Sequence, residues 1–194
     1  VTLSVDWEHI PAKHRSLIKA FLDEADMSAD AIKTVNFPPA YGADIVVSCE
    51  KAKDPKNGSI YLKPTQFVLG IGCRRDTAFE NIDRAIRQSL LKLQIDISDI
   101  DMIASIDVKK DEPGIKEFCE RNRIEFVTYT ADELMAVQGE FSASQFVREH
   151  VGVDNVCERA AVLACSRECN EAGELIYKKH KYDRVTVAAA RYPD

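Results

Sequence analysis

The pattern of apolar and polar positions changes character near residue 64. Before it, apolar residues come in short, irregular groups. Thr2–Val5 predicts a short strand, and Ala12–Ala25 predicts a helix with Leu17, Ile18, Phe21 and Leu22 on one face. Pro38–Pro39 breaks the chain, Ala43–Ser48 predicts a buried strand, and the charged stretch Lys51–Ser59, with Pro55 and Asn57–Gly58, predicts a loop or hairpin turn.

Beyond residue 64, strands and helices alternate. Phe67–Gly72 predicts a strand. Ala78–Leu93 predicts a helix, because Phe79, Ile82, Ile86, Leu90 and Leu93 recur at spacings of three and four. Asp101–Asp107 and Ile124–Tyr129 predict two further strands with a helix over Gly114–Asn122 between them. Arg184–Arg191 predicts a last strand, paired with Glu174–Tyr177. Capping-box spacings at Thr77–Glu80, Thr130–Glu133 and Ser142–Gln145, and an Asn variant at Asn155–Glu158, predict helix starts. This order predicts an α/β fold: a three-layer α/β/α domain with a largely parallel sheet over residues 64–194, preceded by a smaller α/β region over residues 1–63.

Composition narrows the class. Apolar residues make up 45% and charged residues 30%, which excludes a disordered chain. The net charge of −6 leaves no basic excess for a phosphate backbone, so nucleic acid is not expected as a partner. No apolar run approaches the ~20 residues of a membrane span. The chain opens on Val1 rather than Met, so an upstream segment, with any targeting information, is expected to have been removed. None of the six cysteines forms a C-x-x-C pair. In a reducing compartment, Cys157, Cys165 and Cys169, near one helix face, are expected as buried thiols rather than metal ligands.

The richest chemistry lies in Gln66–Thr77, QFVLGIGCRRDT, where an apolar strand runs into Gly70, Gly72, Cys73, Arg74 and Arg75 and then a helix start. Backbone donors, two guanidinium groups and a helix N-terminus suit an anion. Cys73 also sits where a thiol pKa is lowered, but with no histidine near it in sequence a packing or loop role is expected ahead of a catalytic one. In an α/β fold, ligands bind at the carboxyl ends of strands. The second strand end carries Ser105 and Asp107, then Lys109 and Glu112; the third carries Thr128 and Thr130. Together they suit an anionic ligand and acid–base work. Each piece has a structural alternative: a tight turn for the glycines, solvated cations for the arginines, a turn cap for Asp107. A dinucleotide fingerprint and a G-K-[ST] loop are both absent.

Four runs in order, GIGCRRDT (Gly70–Thr77), SIDVKKDEPGI (Ser105–Ile115), FSASQFVREHVGVDNVCERAAVLA (Phe141–Ala164) and RVTVAAAR (Arg184–Arg191), resemble the C-terminal domain of the cobalamin-biosynthesis protein G family and its shorter single-domain relative in the aerobic pathway, CobE. Residues 1–63 resemble the family's central region more loosely, and the family's separate N-terminal domain is expected to be absent. Two departures stand out: Asp76 occupies a position expected to be glycine, and Cys157-Glu158-Arg159 replaces small or apolar residues on what is read as a helix surface.

The resemblance implies a cobalt-precorrin-5A hydrolase of the cytoplasmic anaerobic cobalamin pathway. Water opens the δ-lactone of a cobalt tetrapyrrole, and acetaldehyde leaves to give cobalt-precorrin-5B. The cobalt belongs to the substrate, so neither a protein metal site nor a cofactor is implied. Contacts with an absent N-terminal domain or other pathway enzymes are implied, but none with a membrane. On this reading Asp107 or Glu112 activates water, and Gly70, Gly72, Cys73, Arg74, Arg75, Ser105, Lys109, Ser142 and Ser144 contact the substrate. The alternatives are a corrinoid carrier that performs no chemistry and a nucleotide- or phosphate-binding regulator.

Overall fold

Successive side chains of a strand point to opposite faces of its sheet. In β5 (Phe67–Cys73), Phe67, Leu69 and Ile71 enter one buried cluster and Val68 enters another. That alternation organises the larger part of the molecule. The computed structural model describes residues 1–24, 33–35, 37, 43–48, 60–62, 64–143, 149, 152–169 and 172–193. The chain divides into two compact units, Val1–Pro64 and Thr65–Pro193.

In the first unit, β1 (Thr2–Val5), α1 (Ala12–Glu24), β2 (Lys33–Val35), β3 (Ile45–Val47) and β4 (Ile60–Leu62) follow in that order. The sheet runs β2-β1-β3-β4, and each neighbouring pair is parallel. The three-residue strands β2 and β4 are too short to show a period, and sequence analysis misses both. Leu3, Val5, Ile10 and Val47 form the core, with Ile18 and Leu22 packed against it. Leu17 and Phe21 are exposed at 59% and 58%, so the apolar face predicted for α1 is split. Pro38–Pro39 and Lys51–Ser59 lie outside the described residues.

The second unit continues with β5, α2 (Phe79–Leu93), β6 (Ile100–Ile106), α3 (Pro113–Asn122), β7 (Glu125–Tyr129), α4 (Ala131–Ala136), α5 (Val156–Cys169), β8 (Glu174–Lys181) and β9 (Val185–Arg191). Its sheet order is β7-β6-β5-β9-β8. Strands β5, β6 and β7 are parallel, β9 is antiparallel to β5, and β8 is antiparallel to β9. On one face lie Ile82 and Ile86 of α2 with Ile115 and Phe118 of α3. On the other lie Leu134 of α4 and Ala160, Ala161, Ala164 and Cys165 of α5. These are the three expected layers, on a sheet that is parallel at its centre and antiparallel along one side.

Small residues on α5 permit a very close approach to β5. A Cβ at Gly70 would lie 1.7 Å from the carbonyl oxygen of Cys157, so only glycine fits there. Cys157 is buried, as expected of its thiol; Glu158 and Arg159 are buried too, which corrects their placement on a helix surface.

The helix starts divide. Thr130 and Glu133 form the expected reciprocal capping box of α4. Asn155 caps α5, its Oδ1 accepting from the Glu158 N–H at 2.9 Å. At α2 the N-cap is Ala78, with no side-chain bond, so the Thr77–Glu80 capping box does not form. Thr77 Oγ1 instead donates to the Arg74 carbonyl at 2.6 Å. His180 lies within β8 and stacks on Tyr177, with 4.0 Å between ring centroids.

Candidate functional site

Cys73 at the carboxyl end of β5 is in register with Val185 at the start of β9. The loop Arg74–Thr77 and the two-residue turn Asp183–Arg184 therefore meet at one end of the sheet. The Arg74 N–H donates to the Arg184 carbonyl at 3.0 Å, and the Arg184 guanidinium donates back to the Arg75 carbonyl at 2.9 Å.

From the β6 side, Glu112 holds the same loop. Its Oε1 accepts from the Thr77 N–H and its Oε2 from Lys109 Nζ, both at 2.9 Å. This ion pair is well buried, with side chains 14% (Lys109) and 5% (Glu112) exposed. Gly114 lets the start of α3 pass beneath the loop, since a Cβ there would lie 2.3 Å from the Thr77 carbonyl. Asp76 has φ +55, a left-handed conformation that Asp tolerates better than most residues, which is why it can replace the expected glycine.

Arg74 and Arg75 are exposed on this pinned loop, and neither has a carboxylate partner among the described residues. These two guanidinium groups, beside the exposed Asp76, make the loop a candidate anion contact on a chain of net charge −6. Asp107 begins a short 3-10 turn immediately after β6 and is half-buried.

Other predicted positions play different parts. Burial pushes the half-buried Cys73 thiol up to about 11, and the nearby Lys109 charge only partly opposes this. The arginines and helix start beside it therefore do not make this thiol a ready thiolate. Ser105 is fully buried, and its hydroxyl donates to the Ile71 carbonyl at 2.7 Å. Gly70 is consumed by packing against α5, and the Gly72 carbonyl accepts from Thr186 Oγ1 at 3.2 Å. Ser142 donates its N–H and its hydroxyl to Glu158, each at 2.8 Å. Ser144 lies outside the described residues.

Sequence reasoning missed three residues. Thr77 and Arg184 are drawn to the loop by long-range bonds with no local signature. Glu158 does show a signal, the Asn155–Glu158 spacing, but its carboxylate turns away from the helix start. It accepts from Ser142 and from the Lys179 N–H at 2.6 Å. Among the described residues no group of three or more His, Cys, Asp or Glu could hold a metal ion, and no helix is long and apolar enough to cross a membrane.

Residues 67–190 match the model of the family described as cobalamin synthesis G C-terminus. The chain belongs to that family. It is 38% identical over 102 residues to the cobalt-precorrin-5A hydrolase of Salmonella typhimurium, covering 53% of this chain and 29% of that protein. A probable cobalt-precorrin-5A hydrolase of Methanocaldococcus jannaschii is 31% identical over 137 residues, covering 68% of this chain and 42% of that one. The chain thus spans less than half the length of these hydrolases. The crystal structure of CobE, a protein from the cobalamin (vitamin B12) biosynthetic pathway, superposes with a TM-score of 0.61 at 26% identity, covering 64% of this chain and 89% of that one.

Proposed function

We propose that this chain acts in cobalamin biosynthesis as a cobalt-precorrin-5A hydrolase. It would bind a cobalt tetrapyrrole δ-lactone, add water across the lactone acyl–oxygen bond and release the two-carbon fragment as acetaldehyde. The curated hydrolases that it resembles support the reaction class. The observation that carries the reading is the Arg74–Arg75 pair: two exposed cations without carboxylate partners among the described residues, on a loop held rigid by Glu112, Lys109 and Arg184.

The tetrapyrrole rim bears acetate and propionate groups, and guanidinium forks match carboxylates in shape and charge. Backbone N–H groups of Cys73 and Arg75 would face the developing oxyanion; that of Arg74 is bonded to Arg184, and Gly72 is paired with Thr186 in the β5–β9 ladder. Asp107 is the stronger candidate for the base that activates water, because Glu112 has both carboxylate oxygens engaged in holding the loop. Cobalt enters as part of the substrate, and the protein supplies no cofactor of its own in this scheme.

The test is binding and turnover by the intact chain. Arg74→Glu with Arg75→Glu should weaken affinity for a cobalt corrinoid bearing free carboxylates by about 100-fold or more, as two charge-assisted contacts become repulsive. Unchanged affinity would place the site elsewhere. Asp107→Asn should abolish acetaldehyde release without a matching loss of affinity, and a wild-type rate removes the base assignment. Corrinoid binding by the wild-type chain without any acetaldehyde would favour the carrier alternative.

A further inference from the structure

Hairpin strands β8 and β9 join through a tight turn, closed by Tyr182 N–H donating to Val185 O at 2.7 Å and Val185 N–H donating to Tyr182 O at 3.4 Å. Its second central residue is Arg184, with φ +62. Glycine occupies that turn position at no steric cost, whereas a Cβ and a long side chain are strained there. A residue in this conformation persists where the surroundings hold it.

The surroundings here are the anion loop. Arg184 is fixed to it twice, through its carbonyl to the Arg74 N–H and through its guanidinium to the Arg75 carbonyl. One donated bond leaves most of the five-donor fork for a ligand. The side chain is exposed and has no carboxylate partner among the described residues. Of the acids adjoining these arginines in sequence, Asp183 accepts from Asn81 Nδ2 at 3.1 Å, and Asp76 is exposed. Lys109, close enough to act on the Cys73 thiol as Arg184 does, is committed to Glu112.

We propose that Arg184 is the third guanidinium of the substrate site and sets its specificity for a ligand carrying several carboxylates around its rim, rather than one. This rests on the macrocycle reading above. Three forks, two from one loop and one from the facing hairpin, would grip carboxylates that the Arg74–Arg75 pair alone leaves in solvent.

Arg184→Gly tests this: it relieves the turn and removes the guanidinium together with its bond to the Arg75 carbonyl. The full-length variant should melt within about 3 °C of wild type, because the relieved turn is offset by the lost bond to Arg75 and by the freedom glycine adds to the unfolded chain. Its affinity for a cobalt corrinoid with free carboxylates should nevertheless fall about five- to ten-fold, while affinity for the corresponding methyl ester stays unchanged. Arg184→Lys should recover part of that loss. Unchanged free-acid affinity in Arg184→Gly, alongside lost affinity in the Arg74/Arg75 double variant, overturns this inference and leaves the binding reading intact. Retained affinity in both overturns the two together. An equal loss for acid and ester also overturns it, because the effect would then not be charge recognition.

Discussion

The backbone N–H of Thr77 donates to the Glu112 carboxylate at 2.9 Å across 35 positions of sequence. The other oxygen of that carboxylate takes the Lys109 ammonium at the same distance. One buried side chain thus joins the loop after β5 to the loop after β6, and the exposed arginines inherit their position from it. Glu112→Ala should destabilise the chain by about 2–4 kcal/mol, because it strands a buried ammonium and a buried N–H. Urea unfolding would measure this, and a cost below about 0.5 kcal/mol would show that the pair does not hold the loop. Loss of corrinoid affinity with Arg74 and Arg75 intact should accompany it.

Gly70→Ala should be among the most damaging single changes in the molecule. The new methyl carbon would fall 1.7 Å from the Cys157 carbonyl oxygen, a contact that only movement of α5 relieves. A loss of at least about 3 kcal/mol, or failure to fold, is expected. Wild-type melting would mean that α5 does not approach β5 this closely.

Alkylation kinetics would expose the state of Cys73. A thiol raised by burial to about 11, from an ordinary value of 9.0, has about one-hundredth of the usual thiolate near pH 8. With the other cysteines substituted by serine, its iodoacetamide rate should keep rising past pH 9 and level off only near pH 11. Because the folded-state value is the higher one, the linked stability is fully present below pH 9 and is lost as pH rises through 11. A plateau at or below pH 8 would reinstate an activated thiolate.

Glu158 is fully buried and accepts from the Ser142 N–H, the Ser142 hydroxyl and the Lys179 N–H. Glu158→Gln introduces donors where only acceptors fit, and should cost about 2–3 kcal/mol. Hydrogen exchange at the Ser142 and Lys179 amides should accelerate in parallel. If neither amide changes, the carboxylate is not what ties these segments together.

Periodicity reveals elements whose one face is buried over several turns or a full strand. The five apolar positions from Phe79 to Leu93 are of this kind, while β5, buried on both faces, shows instead as a short continuous apolar run, and both elements stand where expected. Strands β2 and β4 have three residues each, too few for a period of two to declare itself. Local chemistry succeeded at Thr130 and failed at Thr77 for one reason. The same hydroxyl can satisfy a helix N-terminus or a nearby carbonyl, and tertiary partners decide which.

Sequence alone therefore determined the layered α/β class, the family, and the loop where cations gather, because each is written in residues close together along the chain. Only the tertiary structure decided which of those residues remain open to a ligand. Ser105 and Gly70 vanish into strand and helix contacts, Glu112 becomes a pin, and Arg184 arrives from more than a hundred residues away. The physical reason is that a polar group's role is set by the partner that satisfies it, and long-range partners leave no mark on local spacing.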